Sequence, residues 1–391
     1  MSQKPSLLFF TAWWPHKSAP FEGLFVQEHA KSISSFFNIQ VVQLKIQKSN
    51  TTAAYKINIE SCTESDITVH RVYIKTRIRR FGIHNWLIKK AFTQIISELR
   101  SKHHFFAYHL NIRTHITRFI PYLTVLNDLP FVHTEHFTYY HNGINSLNNH
   151  EKALEIERII KWFQNPLLKC VMPVSLELAN VLVHNFNCPQ NKVTVVPNIA
   201  NQTFSYQAFE LPLDQINILM AASWSGNKRP IQLFQAINEL PKEEQDKLSI
   251  HIVGEGDLLS VARVYQSDHL PQLEVQYHGF QSKNYISELI PRCHFLAHPT
   301  VSENSPTIIS EALSSGLPIL SMKVNGIPEL VSESNGILVE PNNIASLSKA
   351  LLNISRKAFE YDRNLISKEA QHRFSPKVIG KDISNILLEL K

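Results

Sequence analysis

The chain has 391 residues, of which 43% are hydrophobic and 18% are charged, and this balance excludes an intrinsically disordered protein. A chain of this length is too long to fold around a single hydrophobic core, so we expect two domains of roughly 150 to 200 residues each. No run of about 18 apolar residues occurs, which argues against a membrane-spanning helix. The four cysteines lie far apart without C-x-x-C spacing, a pattern that fits a reducing compartment better than a zinc site or a disulfide framework.

The N-terminal apolar stretch from Ser6 to Pro15 is interpreted as a buried first strand. It could pass for a short signal sequence, but one lysine precedes it and no small-x-small cleavage site follows it. A helical pattern starts soon afterwards, with apolar residues spaced by three and four positions between Phe25 and Phe37.

Short apolar runs alternate with helical patterns through the first half of the chain, and each run predicts a strand. Such alternation is typical of a parallel, doubly wound sheet, in which ligands bind at the carboxyl ends of the strands. The predicted strands are Leu7 to Ala12, Ile39 to Leu44, Ile67 to Tyr73, Phe105 to His109, Pro130 to Thr134, Cys170 to Val174 and Val193 to Val196.

A polar, proline-containing segment from Asn198 to Leu213 indicates a linker, and a second series of strands and helices follows it. We therefore predict an α/β protein with two Rossmann-like domains that face each other across a central cleft. The predicted domains are residues 1–204 and 205–375, followed by a C-terminal helix over 376–391. The strands predicted in the second half are Ile216 to Ala221, Ser249 to Val253, Leu273 to Tyr277, His294 to Ala297, Pro318 to Leu320 and Gly336 to Val339.

Basic residues are concentrated between Ile67 and Ser97, where seven Lys or Arg residues occur without one acidic residue, against a net charge of +6 for the whole chain. Interleaved aromatic residues make this segment a candidate surface for contact with an anionic membrane leaflet. The alternatives are a solubilising face, a nucleic-acid patch and a core-facing helix over Ile83 to Leu99. The residues assigned to the membrane patch are Arg77, Arg79, Arg80, Trp86, Lys89 and Lys90.

The stretch from Ala297 to Pro341 predicts a strand, a polar loop, a helix and a second strand. Ser305 is a good N-cap residue, and Pro306 suits the first helical position, where its missing N–H costs nothing. The amides of Thr307 and Ile308 then point out of the helix start, where the dipole favours an anion such as a phosphate.

Two glutamates flank this predicted anion site. Glu303 lies in the loop before the helix and Glu311 lies inside it, with seven residues between them. Carboxylates do not bind an anion, but they accept hydrogen bonds from sugar hydroxyls on either side of a diphosphate, as a nucleotide sugar requires. The alternative is an ordinary capped helix with two solvated glutamates.

This stretch resembles the donor-binding signature of the family 4 retaining glycosyltransferases, which have the GT-B fold. The matching elements are the E-x7-E pair, E-A-x-x-x-G-x-P from Glu311 to Pro318, G-x-x-E from Gly326 to Glu329, and N-G-x-L-V from Asn335 to Val339. The resemblance covers nearly the full chain. It implies that the C-terminal helix returns to the first domain and that a sugar is transferred with retention and without a metal.

In the first domain, the resemblance assigns Gly23 to a close approach of backbone to the donor diphosphate, with a tight strand-to-helix turn as the alternative. It places His136 near the reacting sugar, where a histidine orients the hexose or passes on the acceptor proton. Further candidates for acceptor contacts are His133, Tyr139 and Tyr140, for which inward packing is the alternative.

In the second domain, Lys228 resembles the family lysine that neutralises the donor diphosphate. Its usual arginine partner, five residues earlier, is Ser223 here, which leaves the adjacent Arg229 as the candidate substitute. The resemblance also assigns Glu303 to the donor hexose and Glu311 to the ribose.

The function implied is transfer of a hexose-type sugar from a UDP- or GDP-type nucleotide sugar to a glycan or lipid-linked acceptor in cell-surface polysaccharide synthesis. No cofactor, metal or nucleic acid is expected, and the expected location is the bacterial cytoplasm, peripheral to the inner face of the cell membrane. The alternative is a two-domain sugar- or nucleotide-binding protein without transferase activity. The missing export signal and the Glu303/Glu311 pair argue against it.

Overall fold

The computed structural model describes residues 4–48, 54–77, 81–141 and 143–391. The described chain divides into two compact α/β units. The first unit contains the residues up to Val174, Ala179–Val196 and Ile379–Lys391, and the second contains Ser175–Leu178 and Pro197–Val378.

The first half of the chain builds one sheet with flanking helices. Its strands are β1 (Ser6–Thr11), β2 (Asn38–Lys48), β3 (Tyr55–Glu64), β4 (Ile67–Thr76), β5 (Phe105–Asn111), β6 (Phe131–Glu135) and β7 (Leu168–Pro173). Its helices are α1 (Leu24–Ile33), α2 (Phe81–Lys102), α3 (Asn149–Phe163) and α4 (Leu176–Phe186). The strand order is β3-β4-β2-β1-β5-β6-β7, with β3 antiparallel to β4 and parallel pairing elsewhere.

Strand β1 lies near the middle of this sheet. Its residues Leu7 to Phe10 are fully buried, which confirms the interpretation of the N-terminal stretch as a buried strand. Helix α1 packs by its apolar stripe, because Val26, Ala30 and Ile33 recur at helical spacing and are fully buried.

Two features of the first sheet differ from the predicted strands. Strand β3 has no buried apolar run, because it is an edge strand with both faces largely in solvent, so its sequence carries little strand signal. The strand predicted over Val193 to Val196 is wrong: the amides of Thr194 and Val196 donate to β7 carbonyls, but only a single bridge forms, at Val193. One reason is that Pro173 has no backbone N–H and therefore cannot donate a hydrogen bond to this segment.

The second unit builds a second sheet. Its strands are β8 (Ile216–Ala221), β9 (Leu248–Val253), β10 (Glu274–Gly279), β11 (Phe295–His298), β12 (Ile319–Met322) and β13 (Gly336–Val339). Its helices are α5 (Pro230–Asn238), α6 (Lys242–Gln245), α7 (Asp257–His269), α8 (Lys283–Leu289), α9 (Thr307–Ser314), α10 (Ile344–Lys357) and α11 (Arg363–Phe374). All strand pairs are parallel, in the order β10-β9-β8-β11-β12-β13.

This strand order contains a topological switch point. From β8 the chain first adds strands on one side of the sheet and then, from β11 onward, on the other. The carboxyl ends of β8 and β11 lie at this switch point, which is where doubly wound proteins bind their ligands.

The chain ends in α12 (Pro376–Leu388), which buries Ile379, Ile383 and Leu387. Its residues from Ile379 onward belong to the first unit. Among the residues that the structure describes, no helix has the length and apolarity required to cross a membrane.

Candidate active site

Two loops of the second unit are joined at the switch point. The loop after β8 and the loop after β11 form a short antiparallel bridge between Lys228 and Thr300. The amide of Arg229 donates to the Pro299 carbonyl at 3.0 Å, and the amide of Val301 donates to the Asn227 carbonyl at 3.0 Å. The backbone itself therefore fixes Lys228 against the segment that leads into α9.

Lys228 forms an ion pair with Glu303, so the cation and the carboxylate predicted from sequence are brought together. Their side chains are only 16% and 18% exposed. Burial lowers the pKa of Lys228 to about 8, whereas the adjacent carboxylate favours the charged ammonium and opposes that shift. A second anion can exchange for the carboxylate as the counter-ion of this buried ammonium.

The Glu303 loop is held from its other side by the segment after β12. The amide of Gly326 donates to the Glu303 carbonyl at 3.2 Å, and the Asn325 side chain donates to Ser302 Oγ at 2.9 Å. A β-carbon at Gly326 would lie 1.9 Å from the Asn304 carbonyl oxygen. The glycine of the G-x-x-E element is thus required by the close approach of two loops.

Glu329, the acidic residue of the same element, has a structural role. Its two carboxylate oxygens accept hydrogen bonds from the amides of Leu176 and Glu177, at 2.7 and 2.8 Å. Both amides lie in the first turn of α4, where they have no intrahelical acceptor.

Helix α9 begins one residue later than predicted. Thr307 is its first residue, and Pro306 occupies the N-cap position with an extended backbone. The prediction that Ser305 caps this helix is wrong, because the Ser305 hydroxyl is buried without a hydrogen-bond partner among the described residues. The amides of Thr307 and Ile308 still lie in the first turn, where a helix offers no carbonyl acceptor and its dipole favours an anion.

Asn198 anchors this helix start, although the sequence analysis assigned it to a linker. Its Nδ2 donates to the Ser305 carbonyl oxygen at 2.7 Å. The bond joins residues far apart in the chain and has no local sequence signal.

Glu311 is buried and paired, which contradicts the alternative of a solvated glutamate. Its side chain is 2% exposed, and Lys283 Nζ lies 2.7 and 2.6 Å from its two carboxylate oxygens. Sequence reasoning missed Lys283. The serine before it was a sequence signal for a helix start. Ser282 caps α8 by accepting a hydrogen bond from the Tyr285 amide, so Lys283 is the first residue of the helix that follows β10.

Arg229 is turned back onto its own loop. Its Nη1 donates to the carbonyl oxygens of Gly226 and Lys228, both at 2.8 Å. Arg229 can substitute for the arginine expected at the position of Ser223 only if it exchanges these two hydrogen bonds for bonds to a ligand.

Gly23 in the first unit has a left-handed backbone with φ of 70° and precedes α1. A β-carbon there would lie 2.5 Å from the Trp13 carbonyl group. Packing within the unit therefore accounts for this glycine, as the tight-turn alternative states, and its role toward a diphosphate stays a prediction.

A buried carboxylate that sequence reasoning missed organises the loop after β6. Glu135 is fully buried and accepts hydrogen bonds from Tyr140 Oη at 3.0 Å and from the amides of His136 and Phe137, both at 2.9 Å. His133 Nε2 lies 3.1 Å from the same carboxylate. Such charge-assisted bonds offset the cost of burying the carboxylate.

The histidines and tyrosines of β6 and the following loop differ in burial. His133 is fully buried and Tyr140 is 2% exposed, so both follow the packing alternative. Tyr139 is partly exposed. His136 is partly buried, with its ring centroid 4.8 Å from that of Phe25 and 5.3 Å from that of His29. A contact of His136 with the reacting sugar remains a prediction.

The basic segment presents two different faces on α2. Leu87, Ile88 and Ala91 are buried, which confirms the core-facing helix. On the other face Trp86 is 51% exposed, and the Lys90 ammonium lies 4.9 Å from the centroid of its ring. The predicted patch also includes Lys89 and Arg77, which are exposed, and Arg79 and Arg80, which lie outside the described residues.

A family model described as glycosyl transferases group 1 matches residues 201–373. This segment contains the Lys228–Glu303 and Lys283–Glu311 pairs as well as the start of α9. The part of the chain that holds the switch-point site is therefore similar in sequence to the group 1 glycosyl transferases.

Two relatives are also glycosyltransferases by name. The putative colanic acid biosynthesis glycosyltransferase WcaL of Escherichia coli strain K12 is 23% identical over 231 residues, which are 56% of this chain and 56% of that protein. The UDP-Gal:alpha-D-GlcNAc-diphosphoundecaprenol alpha-1,3-galactosyltransferase of Escherichia coli is 23% identical over 238 residues, 57% of this chain and 60% of that protein. The chain thus matches less than two thirds of the length of either relative.

Similarity of structure extends over the whole chain. A glycosyltransferase from Rickettsia africae has a TM-score of 0.72 at 15% identity and covers 99% of this chain and 98% of its own. The predicted α/β fold with two Rossmann-like sheets is confirmed.

Proposed function

We propose that the protein transfers a hexose-type sugar from a nucleoside diphosphate sugar to a glycan or lipid-linked acceptor in cell-surface polysaccharide synthesis. The observation that carries this proposal is the Lys228–Glu303 pair at the switch point, which joins the loop after β8 to the loop that leads into α9. A cation, first-turn helix amides and a carboxylate are together complementary to a sugar joined to a diphosphate. The matches to glycosyltransferases support the same class of reaction.

In this proposal Lys228 binds the diphosphate of the donor and Glu303 binds its hexose. A diphosphate beside Lys228 takes over the role of counter-ion that Glu303 has in the structure. The Glu303 carboxylate is then available to accept hydrogen bonds from hexose hydroxyls. Lys228 and the amides of Thr307 and Ile308 stabilise the charge that develops on the departing diphosphate.

We assign transfer with retention, as in the family 4 glycosyltransferases that this stretch resembles. The acceptor hydroxyl oxygen bonds to the anomeric carbon on the face that the diphosphate leaves, while the bond from that carbon to the phosphate oxygen breaks. The hydroxyl proton passes to the leaving diphosphate. The nucleotide sugar is the co-substrate, and the scheme uses no metal or other cofactor.

The nucleoside end of the donor is assigned to Glu311. Its carboxylate would accept hydrogen bonds from the ribose hydroxyls, and Lys283 holds both carboxylate oxygens in one orientation. UDP is the first nucleotide to test, because one relative is named for the use of UDP-Gal. A GDP-type donor is the second.

The test is a thermal-shift titration of the full chain with UDP, GDP, ADP and their hexose derivatives. One nucleotide at a hundred times its Kd is expected to stabilise the protein by about 2.7 kcal/mol. Glu311→Ala is expected to weaken that shift, whereas Glu369→Ala, which changes an exposed glutamate of α11, leaves it intact. No shift with any nucleotide would contradict the proposal.

A further inference from the structure

The first unit carries a group of neighbouring aromatic side chains that are partly exposed to solvent, and exposed apolar groups of this kind often mark binding sites. Trp13 follows β1, Phe25 lies in the first turn of α1, and Phe137 and Tyr139 follow β6. All four are partly exposed. The Trp13 ring centroid lies 6.2 Å from that of Phe25 and 5.6 Å from that of Phe137, and Phe137 stacks on Tyr139 at 5.7 Å. We call these four residues the aromatic cluster.

The aromatic cluster lies at the carboxyl edge of the first sheet. This sheet has its own switch point, between β1 and β5, and β6 is the next strand beyond β5. The cluster therefore occupies the kind of position where doubly wound sheets bind ligands.

Buried polar anchors hold the two loops that carry these rings. Thr11 Oγ1 lies 3.0 Å from both the amide and the carbonyl oxygen of Trp13. On the other side, the buried Glu135 carboxylate accepts the Phe137 amide at 2.9 Å. The cluster is thus preorganised, which lowers the entropic cost of binding a ligand.

The Trp13 side chain and the polar groups of its loop indicate what the cluster binds. The Trp13 ring is partly exposed, and its indole N–H is a hydrogen-bond donor at the edge of the ring. The same loop carries a hydrogen-bonded network in which His16 Nε2 lies 3.1 Å from Glu22 Oε2, which also pairs with Lys45. An aromatic face with a hydrogen-bond donor at its edge matches a pyranose ring, whose C–H face is apolar and whose hydroxyls are polar. A long isoprenoid chain has no hydroxyls that could accept a hydrogen bond from the Trp13 indole.

We propose that the aromatic cluster is the subsite that stacks against a pyranose ring of the acceptor, with Trp13 and Tyr139 as the main contacts. This inference rests on the proposed function, since it supplies the acceptor side of the same reaction. It moves the acceptor platform from Tyr139 and Tyr140 to Tyr139, Phe137 and Trp13, because Tyr140 is buried.

The test uses saturation-transfer NMR on the full chain, with the methyl pyranosides of glucose, galactose, mannose and N-acetylglucosamine as probes. Wild-type protein is expected to saturate the ring C–H protons of at least one probe. Trp13→Leu and Tyr139→Leu are expected to weaken its binding about three- to tenfold, whereas Tyr139→Phe, which keeps the ring, retains it.

Two further measurements on the same preparations separate the possible results. The thermal shift with nucleotide is expected to be unchanged in both leucine variants, which also shows that they fold. An intact nucleotide shift without saturation of any sugar, or equal saturation in wild type and both leucine variants, would overturn the subsite and leave the proposed function standing. Farnesyl diphosphate binding that needs Trp13, without sugar binding, would overturn it in favour of a lipid site. Loss of every nucleotide shift in wild type would instead contradict the proposed function.

Discussion

Lys228 is the residue on which the proposed chemistry depends most. It is largely buried, its pKa is lowered to about 8 by that burial, and it forms an ion pair with the carboxylate of Glu303. Its electrostatic effect on a bound diphosphate is strong because little water screens the charge.

Replacement of Lys228 by alanine should cost about a hundredfold or more in kcat, because it removes a cation that stabilises the departing diphosphate. Release of nucleotide from the sugar donor identified by thermal shift measures this rate. Lys349→Ala changes an exposed lysine of α10 and serves as the matched control, with wild-type activity expected. A Lys228→Ala enzyme within a few fold of wild type would remove this residue from the site.

The affinity for UDP should decrease as the pH rises through about 8. The protonated ammonium of Lys228 attracts the diphosphate, and because burial lowers its pKa, the proton is lost at a lower pH than is usual for lysine. Isothermal titration from about pH 7 to about pH 9 checks this, with Lys228→Arg as the variant that stays charged throughout. The same pH dependence in both proteins would mean that another group controls binding.

At the scale of elements, the candidate site consists of loops that hold one another in place. The loop after β11 is hydrogen-bonded on one side to the loop after β8 and on the other to the segment after β12. Each loop leaves the carboxyl end of a neighbouring strand, so the position of Glu303 follows from strand order and from contacts between loops.

Gly326→Ala tests whether the close approach of Gly326 to the Asn304 carbonyl sets the position of Glu303. The new β-carbon would lie 1.9 Å from the Asn304 carbonyl oxygen, so one of the two loops must shift. Because small displacements of positioning groups are costly, turnover of the donor is expected to fall about tenfold to a hundredfold.

Gly82→Ala is the matched control for this substitution. Gly82 lies in the first turn of α2, and among the described residues no atom beyond its chain neighbours and its own helix backbone lies within 4 Å of a β-carbon there. It should leave turnover unchanged and alter the free energy of unfolding in urea by at most about 1 kcal/mol, in the stabilising direction. Wild-type turnover in Gly326→Ala would show that the Glu303 loop does not need this close approach.

At the scale of the whole molecule, the exposed face of α2 is the candidate surface for contact with an anionic membrane. Lys89 and Lys90 project from it beside the exposed Trp86, while the opposite face is in the core. Contact with an anionic membrane would use this face and leave the fold intact.

Replacement of both Lys89 and Lys90 by glutamine should lower binding to anionic phospholipid vesicles about tenfold or more, since each cation near such a surface contributes about 1 kcal/mol. Vesicle cosedimentation at two salt concentrations measures the effect. A variant with Lys349 and Lys368 replaced by glutamine removes the same charge from the second unit and is expected to bind as wild type does. Equal loss in both variants would indicate a general charge effect.

Apolar periodicity and motif spacing are local properties of the chain, so they predict the α/β class, most strands and the residues of the donor-binding stretch. Edge strand β3 could not be predicted in this way, since it buries no apolar run. The folded structure was needed to show that Lys228 pairs with Glu303, 75 positions away, and Lys283 with Glu311, 28 positions away. It also decided that Glu135 is buried and Tyr139 is not. Such contacts form when distant loops meet at one edge of a sheet, and a meeting of that kind leaves no periodic pattern in the sequence.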